Sequence, residues 1–143
     1  MTTSGDRPIP PVERLVLDTS AYSQLRRGHE AVLDALAAAG AVLVPATVLG
    51  ELEGGFELGR RAKENRLALA EFLDEPFVAI LDTTPAVARR YGRIFAELRR
   101  AGTPIPVNDI WIAAATLDCG GHLLTFDEDY RRVATLELTL LPS

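Results

Sequence analysis

The chain has 143 residues, a formal net charge of −5, one cysteine and 48% hydrophobic residues. A chain near this length buries about 68–70% of its unfolded surface, enough for one domain whose core needs neither disulfides nor structural zinc. One Cys and two His exclude an internal disulfide and leave the usual zinc site short of ligands, no apolar run reaches the roughly 20 residues of a membrane helix, and the acidic balance argues against nucleic-acid binding by bulk charge.

Along the chain, residues 1–13, with Pro8, Pro10 and Pro11, read as a flexible tail, and residues 14–143 as the domain. ArgLeuValLeuAsp at 14–18 is a short apolar run ending in a carboxylate, and ThrSerAlaTyr follows as a helix start: a strand feeding a helix. AlaValLeuVal at 41–44 is a second strand, stopped by Pro45, and a helix begins near Ala46 with Val48, Leu52 and Phe56 on its apolar face. PheValAlaIleLeu at 77–81 is a third strand, followed by a helix with Val87, Tyr91, Ile94 and Leu98 on one face. GlyThrProIlePro at 102–106 is a loop delivering a helix that carries Ile110, Ala113, Ala114 and Leu117. HisLeuLeuThrPhe at 122–126 and LeuGluLeuThrLeuLeu at 136–141 complete five strands. Strands alternating with helices predict an α/β fold, and continuous apolar strands predict a mainly parallel sheet covered on both faces, a three-layer α/β/α sandwich.

Ligands of such sheets gather beyond the carboxyl ends of the strands. Asp18 and Asp127 stand just past the first and fourth strands, and Asp109, after Asn108 as N-cap, stands in the first turn of its helix. Glu51 lies at the border of its helix's apolar face. Each acid alone has an ordinary reading as a cap, a turn former or a solvated surface group. Together they are harder to dismiss, because four carboxylates within about 5 Å would repel by about 3 kcal/mol per pair at an effective dielectric near 20. Shared protons, arginines or a divalent cation must offset that repulsion. An all-carboxylate donor set suits a hard cation, Mg²⁺ or Mn²⁺, which supports attack of water on a phosphodiester.

LeuValLeuAspThrSerAlaTyr at 15–22, GluLeuGluGlyGly at 51–55, AsnAspIleTrpIleAlaAlaAla at 108–115 and LeuLeuThrPheAspGluAspTyr at 123–130 resemble, in order and spacing, the four acidic motifs of PIN-domain ribonucleases, and most closely the VapC type of toxin from bacterial toxin–antitoxin pairs. The resemblance covers roughly residues 14–141. It implies a PIN-like fold with Asp18, Glu51, Asp109 and Asp127 as the metal-binding, catalytic acids, helped by Ser20 or Thr19, Asn108 and Thr125. It further implies a cytoplasmic, Mg²⁺-dependent endoribonuclease cleaving structured RNA such as tRNA or rRNA, dimeric, and neutralised by a VapB-like antitoxin. The N-terminal tail departs from the pattern, since such toxins usually begin almost directly at the first strand.

Asp18 and Asp109 are expected to bind the principal ion, Asp127 and Glu51 to complete the site through water or a second ion, and Asp129 and Glu53 to lie outside the ligand set. Arg60, Arg61, Lys63 and Arg66 form the densest basic run, open to phosphates, to an acidic partner or simply to solvent. Arg89, Arg93 and Arg100 share a helix face with Glu97, best read as a solvated face with ion pairs. Trp111 reads as a core or interface anchor rather than a base-stacking group, and His29, His122 and Cys119 as structural. A dehalogenase-like phosphatase fails because Ser20 stands where a second Asp is needed, and a receiver-like domain because the only lysine, Lys63, falls mid-chain. The remaining alternative is a catalytically silent scaffold that binds RNA or a protein, and retention of four mutually repelling acids weighs against it.

Overall fold

A computed structural model describes residues 12–143 of the chain; the expected tail over 1–11 lies outside the described residues. Five strands and six helices follow one another as β1 (Arg14–Leu17), α1 (Thr19–Arg26), α2 (Glu30–Ala38), β2 (Ala41–Pro45), α3 (Ala46–Leu58), α4 (Ala62–Leu73), β3 (Val78–Leu81), α5 (Pro85–Ala101), α6 (Val107–Asp118), β4 (His122–Thr125) and β5 (Leu138–Leu140). A 3-10 turn over Glu128–Arg132 links β4 to β5. The strands form one sheet in the order β3-β2-β1-β4-β5, and every pairing is parallel. Each of the five apolar runs thus contains a strand, and the sheet is parallel throughout.

Leu15, Val16 and Leu17 point alternately to opposite faces of the sheet, yet all are fully buried. Both faces are therefore covered. From β1 the chain moves outward through β2 to β3, then returns past β1 to β4. Right-handed crossovers then lay α1 to α4 on one face and α5 and α6 on the other. The reversal of direction between β1 and β4 creates a switch point, and the crevice outside it is where such sheets bind ligands.

Local chemistry sets the element ends. Asp18 stops β1 and caps α1, its Oδ1 accepting the Ala21 N–H at 2.8 Å. Pro45, unable to donate a backbone hydrogen bond, ends β2 at the N-cap of α3. Thr84 caps α5 by accepting the Val87 N–H at 3.2 Å, Pro85 follows at the first helical position, and Gly102 closes the helix in the left-handed region at φ 71°. One expectation is corrected: Asn108 is not the N-cap of α6. Pro106 holds that position, and Asn108 lies within the first turn with its amide turned to Glu51 instead.

The entry to β1 is fixed by close approach to the turn before β2. The carbonyls of Val12 and Glu13 accept the N–H groups of Gly40 and Ala41, each at 2.8 Å. A Cβ on Gly40 would stand 2.8 Å from the Glu13 carbonyl oxygen and 3.3 Å from its Cα. Since these are backbone atoms, Gly40→Ala is expected to cost about 1–2 kcal/mol, a fall of about 3–6 °C in melting temperature, read by thermal unfolding.

Candidate metal centre

Four elements bring acids to the crevice beyond β1 and β4. Asp18 follows β1, Glu51 lies one turn into α3, Asp109 stands in the first turn of α6, and Asp127 and Asp129 follow β4. Among the described residues, Asp109, Asp127 and Asp129 each offer a carboxylate oxygen within 4.8 Å of the others. Asp129, expected outside the ligand set, thus joins Asp109 and Asp127. Asp18 and Glu51 stand around this trio rather than within it.

Asp18 is the buried member, 4% exposed, and its carboxylate is filled with donors. Oδ1 accepts from Ser20 Oγ at 2.7 Å and from the Ala21 N–H, and Oδ2 accepts from Thr125 Oγ1. Burial nevertheless outweighs these bonds and raises its pKa above the usual carboxylate range, with the Asp127 charge adding to the rise. Asp127 is held in turn. Its N–H donates to Thr125 Oγ1 at 3.0 Å, and its Oδ1 accepts the Asp129 N–H at 2.9 Å. Thr125, wholly buried at the end of β4, therefore bridges two acids with one hydroxyl.

Thr125→Val keeps the volume and removes that hydroxyl, leaving an Asp18 oxygen and the Asp127 N–H without their partner. The expected cost is about 2 kcal/mol, a melting temperature lower by about 4–8 °C, with the loss smaller in Asp18→Asn, where the orphaned group is uncharged. Equal losses in both backgrounds would show that the hydroxyl does not serve the carboxylate.

Glu51 is fixed at both oxygens, Oε1 by Thr19 Oγ1 at 2.6 Å and Oε2 by the Asn108 amide at 3.4 Å. Asp109 Oδ1 accepts from the hydroxyl of Tyr130 at 3.1 Å. Burial first, and then the charges of Asp127, Glu51 and Asp129, push the Asp109 pKa up to about 6 against the lowering bond from Tyr130. Tyr130, 1% exposed, has its own pKa raised by burial and by the charges of Asp18, Asp109 and Glu51, so its hydroxyl stays a donor. No local pattern marks this role for Tyr130, because the contact spans two elements.

These donors fit a hard divalent cation. They are carboxylates only, three offer oxygens within 4.8 Å of one another, and beyond the effect of burial their charges add to the rise of the Asp109 pKa, a repulsion that a cation would relieve. A neutral ligand would leave the repulsion in place.

The other singled-out residues sit elsewhere. Arg66 of the basic run folds back on Glu53 at 2.6 Å and Glu57 at 3.4 Å. Trp111 stacks on Tyr91 with ring centroids 4.0 Å apart, joining α6 to α5. His122 Nε2 and Thr139 Oγ1 are 2.7 Å apart, and Cys119 Sγ donates to the Thr116 carbonyl at 3.3 Å. No helix among the described residues is long and apolar enough to cross a membrane.

A parallel α/β/α sandwich with acids converging at its switch point defines the class: an α/β fold with a carboxylate-lined crevice. Residues 15–136 match the PIN domain, and the chain belongs to that family. Within it the chain is of the VapC type, 32% identical over 99 residues to Ribonuclease VapC4 of Mycobacterium tuberculosis, an alignment spanning 66% of this chain and 73% of that protein. In fold it is similar to VapBC of Salmonella typhimurium, solved bound to DNA, with a TM-score of 0.80, 22% identity, and 89% and 97% of the two chains covered. It is likewise similar to VapC20 of Mycobacterium tuberculosis, a sarcin-ricin loop cleaving toxin, with a TM-score of 0.67, 19% identity, and 86% and 97% coverage.

Proposed function

We propose that the chain is a cytoplasmic, metal-dependent endoribonuclease of the toxin type, with Mg²⁺ as the resident cation and Mn²⁺ as a substitute, acting on structured RNA. The observation that carries this reading is the trio of Asp109, Asp127 and Asp129 within 4.8 Å, with Asp18 and Glu51 held alongside. VapC4 is named a ribonuclease and VapC20 a sarcin-ricin loop cleaving toxin, which supports carrying the activity to this chain.

Asp109, Asp127 and Asp129 would hold the cation, with Asp18 and Glu51 completing the site through water or a second ion. When bound, the cation supplies Lewis-acid stabilisation of phosphoryl oxygens and a more acidic water. The chain's own contribution is positioning. Ser20 and Thr125 fix Asp18, Thr125 also fixes Asp127, and Tyr130 holds Asp109 through its hydroxyl. Glu51, clamped by Thr19 and Asn108, orients the attacking water and accepts its proton. VapBC complexes join a VapC to an antitoxin, and the same arrangement is proposed here: a VapB-like protein covers this crevice, and a second copy of the chain completes a homodimer.

The test is purified chain, freed of any co-expressed partner, incubated with total cellular RNA and Mg²⁺ or Mn²⁺ beside an EDTA control. Discrete fragments that require metal establish the activity, and mapping their ends names the target. Intact RNA together with no metal-induced shift in melting would overturn the reading.

A further inference from the structure

Resting on the reading of these acids as a phosphodiester-cleaving centre, we propose that the groove running from Asp127 toward α1 is a subsite for the unpaired nucleotide next to the scissile phosphate. Phe126 serves as its stacking platform, and Arg27 and Arg131 as its phosphate contacts. A groove of about 640 Å³ opens beside the acids, with Asp127, Glu128 and Arg131 in its lining. A second of about 330 Å³ is lined by Gln24, Arg27 and His29. Ser20, Phe126, Pro142 and Ser143 line both, so the two adjoin along α1 and the end of β4. Each lies within the roughly 300–1,000 Å³ of small-ligand pockets.

The charges select the occupant. The acid centre by itself repels a polyanion, so RNA needs cations that are free to take phosphate. Among the described residues Arg66, Arg90 and Arg132 are spent on ion pairs, whereas Arg27 and Arg131 are in none. A guanidinium matches phosphate with two parallel N–H donors. Between them stands the Phe126 ring: the Phe126 N–H donates to Ser20 Oγ at 3.1 Å, which fixes the backbone there, and His29 meets the ring edge-on with centroids 5.1 Å apart at 76°. A braced aromatic ring loses little freedom when a base stacks on it, and RNA recognition favours unpaired bases splayed onto such rings. Cations flanking one aromatic ring, with the Gln24 amide beside them, suit a nucleotide better than an apolar peptide. The same hydroxyl that braces Phe126 also donates to Asp18, so platform and metal centre share Ser20.

The test uses the full chain and a short fluorescein-labelled single-stranded RNA of mixed sequence, followed by anisotropy in EDTA so that nothing is cut. Arg27→Glu and Arg131→Glu are each expected to weaken binding by about tenfold and to flatten its salt dependence, and Phe126→Leu to weaken it by about fivefold. Arg93→Glu, on the exposed face of α5, is the control and should change binding by less than about twofold. In cleavage assays the same three groove variants should raise KM and spare kcat, with the metal-induced melting shift intact. Unchanged binding in the groove variants, or a loss confined to Arg93→Glu, overturns the subsite and leaves the groove to a protein segment. Failure of the wild-type chain to bind the oligonucleotide overturns it as well. Binding that follows the groove variants without any metal-dependent cleavage would instead sink the nuclease reading and keep the subsite.

Discussion

Asp109→Asn is expected to remove metal-dependent RNA cleavage, with a fall in kcat of at least about 10²–10³-fold, while the chain stays folded. The substitution keeps the shape and an oxygen that accepts from Tyr130, and it deletes the charge on which the repulsion of Asp127, Glu51 and Asp129 is concentrated. Gel analysis of total RNA with Mg²⁺, beside the circular dichroism of both proteins, gives the comparison. Cleavage persisting near the wild-type rate would remove Asp109 from the centre. Asp129→Asn in the same assay weighs the trio against the four-motif set. It should raise the Mg²⁺ concentration needed for half-maximal cleavage by about 10–100-fold, whereas an acid outside the centre would leave it unchanged.

The second large effect is a coupling of stability to pH and metal. In the folded, metal-free chain Asp109 has its pKa pushed up to about 6 from the usual 3.8, so between those values the folded state holds a proton that the unfolded state has released. Stability must then fall as pH rises through that window and stay low above it. A two-unit rise corresponds to at most about 3 kcal/mol, and partial exposure of the group discounts it to about 1–2 kcal/mol. Metal-free Asp109→Asn should therefore melt about 3–6 °C above wild type at neutral pH and level with it near pH 4. Mg²⁺ at about 100 times its Kd should add about 2.7 kcal/mol to the wild type at neutral pH, near 8 °C, and little at pH 4, where protons compete for the same oxygens. A difference between the two proteins that does not vary with pH would contradict the converging-acid geometry.

The strands were legible because their apolar runs are continuous and each is cut off by a residue with a physical reason to end it, Asp18 after β1 and Pro45 in β2 among them. The acids at element ends followed from the same boundaries. Asp129 did not, because in a sequence it is one of three acids within the stretch from Asp127 to Asp129, and only the backbone turn after β4 shows which of them returns to the crevice. Asn108 reads as a cap by propensity. Its amide instead donates to Glu51, 57 residues away, and the cap position falls to Pro106. The Tyr130 hydroxyl on Asp109, 21 residues apart, is likewise a tertiary fact with no local signal.

The bond from Thr125 to Asp18 joins residues 107 apart, and β1 reaches the centre only by pairing with β4. No amino-terminal stretch that stops short of β4 can assemble the acids, however well its own helices form. During synthesis the acid centre would thus be assembled late and all at once, with the last elements of the chain. The same dependence makes a nick in the α5–α6 connection a route to silencing, since it turns the closure of one chain into the association of two pieces, which costs more entropy than loop closure.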